Sequence, residues 1–477
     1  MKLKRIISLL AAGSLLMTAL YSCGKSEKDE KESDNAQMIE DDDFWLPKDL
    51  RFEGETFDLY VAMPTASQSF IAPEETGHHI TDAVYTRNKL VEQRLGVELN
   101  FVGTAKTSSG EDQNYESSLI RTLIQGGDDT YDAYIHAQHG MMPTLIEEGL
   151  FVDWNELKYV NTDNPWWYSN VKRDICFGNK IYCMTGDYNF KSFASTACVA
   201  FNKTLCDELG LEYPYQAVFD GTWTHDMMVE YIKKSTKDLN GDGTITTEHD
   251  RYGYMGWQPE IYGDLYCGYG GNAIGKDDNN MPILTIGSER MVTVIDKMIE
   301  LFNLEGAYVE GTTYGLDDTM FSEGRLMFND SFLSHVPGMR GYENVDVGFV
   351  PYPKLDEAQE EYYSRTATTA GMTYIPVTNN NLDMTGAVLE TMAYYSGDTI
   401  IDTYFDIILT IQSTRDIESE EMIPIIKDSA RFMEQIIGFT GSNIVMKKQG
   451  NTISSFVEAH KDAWQLKIDK LCEFYES

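Results

Sequence analysis

Val84–Val102, VYTRNKLVEQRLGVELNFV, contains a helix, its stop signal and a strand in immediate succession. Val84, Leu90, Val91 and Leu95 fall on one helical face, which predicts a helix over 82–95. Gly96 supplies the stop. Val97 to Val102 then alternates as a strand does. Upstream, Thr56 to Met63 (TFDLYVAM) alternates and is rich in β-formers, so it reads as a strand. Downstream, a helix over 115–124, a strand over 131–135 and a helix over 142–148 follow, the last ended by Gly149. Strands alternating with helices in this order predict an α/β fold with a parallel sheet and right-handed crossovers.

The second half is mixed. A strand-like run over 194–201 leads into a helix over 203–209 closed by Gly210, and 223–237 reads as helix. Residues 241–273 are rich in Gly, Tyr and Trp and read as loops. Helices are expected over 289–302, part of 320–323, 385–395, 400–409, 422–437 and 454–474, with a strand at 347–350 stopped by Pro351.

The N-terminus carries its own message. Lys2, Lys4 and Arg5 precede an uncharged run, Ile6 to Leu20, too short for an ordinary transmembrane helix. Leu20-Tyr21-Ser22-Cys23 follows and resembles the lipobox of bacterial lipoproteins. That resemblance implies a signal peptide over 1–22, lipidation of Cys23, and a cell-membrane location on the extracytoplasmic face. An ordinary cleaved signal or an uncleaved anchor is the alternative. Gly24 to Asp43 is charged and nearly devoid of apolar residues, so it cannot offset its ordering entropy by burial. Residues 23–51 read as a flexible tether.

The chain has 477 residues, 42% of them hydrophobic, enough for a two-domain body. Its net charge of −38 repels phosphate backbones and excludes nucleic acid as a partner. Seven Cys show no CxxC pair and no zinc spacing with His. Cys176 and Cys183 could pair across a turn, or all could be buried thiols. No GxSxG, HExxH or P-loop occurs, so the motifs of the common hydrolase and nucleotide chemistries are missing.

Eight segments, in order, resemble the family 1 extracellular solute-binding proteins of ABC importers, which include relatives of maltose-binding protein. Val84 to Val102 is similar to the family's first helix and second strand, and Tyr131 to Leu157 to its third strand, helix and exit. Gly178-Asn179-Lys180-Ile181-Tyr182 is similar to the approach to its first crossover, Val199 to Lys203 to its "YNK", and Gly221-Thr222-Trp223 to its "P-x-T-W". Gly270-Gly271, Phe321 to Met327 and Pro351-Tyr352-Pro353 match its "GG", "F-x-x-G-K-A-A-M" and "P-x-P". The resemblance implies a two-lobed, periplasmic-binding-protein-like (type II) fold with a hinge and an interlobe cleft. It implies crossovers near Asp187, Asp317 and Gly371. Lobe 1 would then comprise 52–186 and 319–371, and lobe 2 would comprise 187–318 and 372–477.

A carbohydrate cleft needs aromatic faces for sugar C–H surfaces and acceptors for hydroxyls. Under the resemblance, the candidate ligand residues are Asp187, Tyr188, Trp257, Tyr266, Tyr269, Gly270, Asp330 and Phe332, where the family commonly has Trp in place of Phe332. Any single ring among them could equally be core. Asp238, Asn240, Asp242 and Thr244 are spaced as in the start of an EF-hand calcium loop, with Glu248 or Asp250 to close it in place of His249. The same run also reads as an acidic turn needing no ion.

The expected function is therefore a lipid-anchored monomeric receptor, not an enzyme. It would require no cofactor beyond a possible structural calcium, and would deliver a carbohydrate to ABC permease subunits. A surface carbohydrate-active enzyme, or the same fold binding a polyamine or peptide, is the alternative.

Overall fold

The computed structural model describes residues 44–476 apart from 108, 138–140, 258–259, 311–314, 368–369, 406, 408–417 and 433–452. The expected signal peptide, the lipidation expected on Cys23 and the expected tether up to residue 43 lie outside the described residues, as do parts of the helices expected over 400–409 and 422–437.

The first sheet grows from the opening run of the sequence. Strand β1 (Thr56–Val61), helix α1 (His79–Leu95), strand β2 (Glu98–Gly103), helix α2 (Gly110–Gln125), strand β3 (Ala133–Ala137) and helix α3 (Met142–Glu147) follow in that order. Strand β1 pairs in parallel with both β2 and β3. Gly96 ends α1 in the left-handed region, φ 69°, its N–H bonded to the Glu92 carbonyl. Strand β3 is buried along its whole length, as a strand covered on both faces must be. Arg87 of α1 is fully buried without a carboxylate beside it. Its guanidinium donates to the Ser69 carbonyl at 2.7 Å, the Ser396 hydroxyl at 3.1 Å and the Tyr188 carbonyl at 3.4 Å. Burial draws its pKa down to about 9.

After α4 (Ser169–Ile175) and the single turn α5 (Phe190–Ala194), the chain enters a second sheet with β4 (Ala197–Asn202). Helices α6 (Lys203–Leu209), α7 (Tyr215–Phe219) and α8 (His225–Ser235) lead to β5 (Tyr252–Trp257) and α9 (Glu260–Gly268). The small hairpin β6 (Ile274–Lys276) and β7 (Pro282–Leu284) precedes α10 (Glu289–Phe302), β8 (Ala307–Glu310), α11 (Leu316–Ser322), β9 (Leu326–Phe332) and β10 (Val347–Val350). This sheet has the order β10-β4-β9-β5-β8. The expectation of loops over 241–273 is corrected here, because β5 and α9 occupy much of that stretch and both are buried.

The chain then returns through β11 (Ser364–Arg365) to β12 (Gly371–Tyr374) and α12 (Leu382–Ser396). Strand β12 pairs antiparallel with β3, so the first sheet is mixed rather than purely parallel, in the order β12-β3-β1-β2. Helices α13 (Glu418–Ser429) and α14 (Ile453–Glu476) flank the short strand β13 (Ala430–Arg431), which pairs with β11.

This topology corrects the expected division into lobes. Strands β9 and β10 belong to the second sheet, so most of 319–371 lies in the second lobe. No crossing occurs near Asp317, because β8 and β9 both hydrogen-bond to β5 on either side of α11. Residues 371–396 belong to the first lobe, with β12 on β3 and α12 packed on α1. Two passages between lobes lie side by side, linked by bridges Met184↔Thr373 and Thr196↔Thr366. Asn189 Nδ2 and Ser192 Oγ both donate to the Gly371 carbonyl, at 2.8 and 2.7 Å.

Phe44 and Leu46, expected within the flexible tether over 23–51, are instead buried, the Phe44 ring stacking on Tyr394 of α12 at 4.2 Å. Beside it, buried Glu390 of α12 accepts from the indoles of Trp45, Trp166 and Trp167, from the Asn164 amide and from the Asn161 backbone. The six described cysteines are free thiols, Cys176 and Cys183 among them. Among the described residues, no helix is long and apolar enough to cross a membrane.

Candidate functional site

A cavity of about 310 Å³ opens between the lobes. The first lobe contributes Thr65 from the turn after β1, and the passages between lobes contribute Lys191, Ser195 and Ala367. The second lobe contributes the rest from the ends of its central strands. Strands β5 and β9 run parallel, with Met255 opposite Asn329, so Trp257 and the pair Asp330 and Phe332 emerge at the same edge. Glu260 opens α9, Asp317 and Asp318 open α11, and Ser334 and His335 follow β9. Ligand sites of open α/β folds sit at strand ends for this reason.

The floor is a network of carboxylates. Arg365 of β11 donates from Nε to Asp264 at 2.7 Å and also pairs through Nη2 with Glu260. Asp330 accepts from the Tyr352 hydroxyl and lies within hydrogen-bonding reach of Asp264. Burial, reinforced by the charge of Asp264, holds the Asp330 carboxyl well above the usual carboxylate range. Burial raises Asp264 as well, against the pull of Arg365. Asp318 Oδ1 accepts from the Asn329 amide at 3.0 Å, and Asp317 Oδ1 accepts from the Asp318 backbone at 2.9 Å. Burial lowers the pKa of Lys191 and of His335, whose ring meets Phe332 edge-on at 5.6 Å. The arrangement offers two aromatic faces beside a row of acceptors.

Of the residues expected at the ligand, Trp257, Asp330 and Phe332 line this cavity. The other five do not. Asp187 is buried and ion-paired with Lys427 at 3.0 Å, burial raising its pKa against that lysine. Tyr188 is fully buried, its hydroxyl 2.5 Å from Thr373 Oγ1. Tyr266 and Tyr269 face the core from α9 and the turn after it, the latter bonded to His225 Nδ1 at 2.6 Å. Gly270 makes that turn with φ 74°. These five correlate with the misread stretch or with the packing of the passage, where a ring and an acid look locally the same in core and in cleft. Sequence reasoning missed Thr65, Lys191, Ser195, Glu260, Asp317, Asp318, Ser334 and His335. Asp317-Asp318 just before a family-like segment was the one usable signal. A second cavity, about 330 Å³, lies near Tyr168, Phe193 and Lys427.

The acidic turn closes on its own amides. Asp238 accepts from the Gly241 and Gly243 N–H groups at 2.7 and 2.8 Å, and Asp242 from Thr244 at 2.8 Å. Asn240 bonds Asp242, and Asp250 accepts from Leu239 and Thr246, both at 2.8 Å. Glu248 points outward, exposed. Among the described residues no three His, Cys, Asp or Glu side chains converge as metal donors. The residues fit a hydrogen-bonded turn and do not fit a preformed calcium site.

No protein-family model and no curated relative matches the sequence. Solved structures do match the fold. An ABC substrate-binding protein from Listeria monocytogenes in complex with cycloalternan superimposes with a TM-score of 0.53 at 14% identity, covering 87% of this chain and 99% of that one. The GacH receptor of Streptomyces glaucescens, solved unliganded and with acarbose, gives 0.54 at 12%, covering 87% and 99%. UgpB from Mycobacterium tuberculosis, in complex with glycerophosphocholine, gives 0.55 at 12%, covering 88% and 99%.

Proposed function

Because the chain has the two-lobed fold of ABC substrate-binding proteins, we propose that it is a lipid-anchored extracellular receptor that captures a carbohydrate and hands it to the permease subunits of an ABC importer. The observation that carries this reading is the cavity between the lobes. It sets Trp257 and Phe332 beside Asp317, Asp318 and Asp330, with Thr65 reaching in from the opposite lobe. Aromatic faces suit sugar C–H surfaces, and carboxylate oxygens accept from sugar hydroxyls. A ligand touching both walls favours the closed arrangement of the lobes, and closure is the signal a permease reads. The lipid on Cys23 holds the receptor at the membrane. No bond in the ligand is made or broken.

A thermal-shift screen with mono- and oligosaccharides tests the reading, since a ligand bound only by the native state raises Tm by mass action. Trp257→Ala and Phe332→Ala are each expected to weaken the best saccharide by about twofold to tenfold, the worth of one aromatic contact. Unchanged affinity in both variants would remove the cleft assignment. Cleaved product on chromatography would favour the carbohydrate-active enzyme instead. For the anchor, Cys23→Ala is expected to abolish incorporation of labelled palmitate and release the protein from the membrane fraction.

A further inference from the structure

The lining of the interlobe cavity is more acidic than a neutral saccharide requires. Four carboxylates face it, those of Glu260, Asp317, Asp318 and Asp330. Against these four carboxylates the lining residues offer two basic side chains, Lys191 and His335, whose pKa values burial lowers. Arg365 stands behind the wall and is engaged by Glu260 and Asp264. Asp330 is bonded to Tyr352 and Glu260 is paired with Arg365, while Asp317 and Asp318 stand side by side at the start of α11. There Asp318 is bonded to the neutral Asn329 amide, which satisfies an oxygen and leaves its charge in place. Trp257 and Phe332 line the same cavity. A low-dielectric cleft lined by one sign of charge concentrates ligands of the opposite sign.

We propose that the captured carbohydrate bears a basic amine, held as the ammonium against Asp317 and Asp318 while its ring packs on Trp257 or Phe332. The proposal rests on the carbohydrate reading above and narrows it to cationic amino sugars. Hydroxyls alone would use the same acceptors without using their charge.

Calorimetric titration of the full chain with four probes tests it: glucosamine oligomers, their N-acetylated counterparts, maltooligosaccharides and spermidine. Glucosamine oligomers are expected to bind at least about tenfold more tightly than the acetylated ones, as one added charge pair in a partly solvated site implies. Their affinity should fall as salt rises. Asp318→Asn should narrow the gap between the two oligomers. Equal or tighter binding of the acetylated or neutral oligomers overturns the amine and leaves the carbohydrate reading standing. Binding of spermidine with no saccharide bound overturns both. No heat with any of the four overturns the amine, while the wider saccharide screen judges the parent reading separately.

Discussion

Glu390 accepts hydrogen bonds from three indoles, one side-chain amide and one backbone amide, and is itself buried. Burial raises its pKa, and the donors from Trp45, Trp167, Asn164 and Asn161 oppose that rise. Removing the acceptor would strand the buried Trp167 indole, at about 1–3 kcal/mol, and break four part-buried bonds around it. Glu390→Ala is therefore expected to lose about 3 kcal/mol of stability in urea unfolding, and a loss below about 1 kcal/mol would show the cluster to be slack. None of this was legible. The acceptor for Trp166 and Trp167 lies more than two hundred residues further along the chain. The same blindness explains Tyr188 and Tyr269, whose hydroxyl partners Thr373 and His225 are remote in sequence. A local pattern reports that a ring will be half or fully covered, but not which neighbour covers it.

At the level of elements, helices with strong periodicity and end signals were readable to the residue. Lys203–Leu209 ends on Gly210 at φ 65°, and Glu289–Phe302 begins after Ser288, whose side chain caps the Met291 N–H. Strand β5 and helix α9 were hidden by their glycines. Gly256 lies so close to β9 that a Cβ there would overlap the Asp330 side chain, and Gly268 lies against Tyr352. These glycines serve close packing and not loop geometry, a distinction that composition cannot make. Gly256→Ala would press on the cavity floor at Asp330. It is expected to cost about 1–3 kcal/mol by overpacking and to weaken saccharide binding together with stability. Calorimetry and urea unfolding on the same variant would report both, and unaltered binding would separate the floor from the site.

Across the whole molecule, the two-lobe architecture was legible from the ordered segments, but the share of chain in each lobe was not. Strand β12 closes the first sheet by pairing with β3, a non-local choice that no single-segment pattern encodes. The pH response is also a property of the whole. His225 is fully buried, and burial lowers its pKa to about 4. The unfolded chain thus binds the extra proton between about pH 4 and the usual imidazole value of about 6.5. The stability this group confers is complete above that window and is lost as pH falls through it. Asp264 and Asp330, raised in the fold, act in the opposite sense and favour folding as pH falls. Wild type should therefore lose its stability advantage over His225→Asn as pH drops from about 6.5 to 4, and urea midpoints across that range would check it. The docking of Phe44 and Trp45 has a mechanical meaning. Both are clamped to α12, which packs on α1, so a pull on the N-terminus enters the first lobe and bypasses the passages at Asn189 and Gly371. On the proposed anchoring through Cys23, tension arriving at Phe44 would do no work on those passages, and a receptor held in this way would keep its cargo while tugged along a membrane.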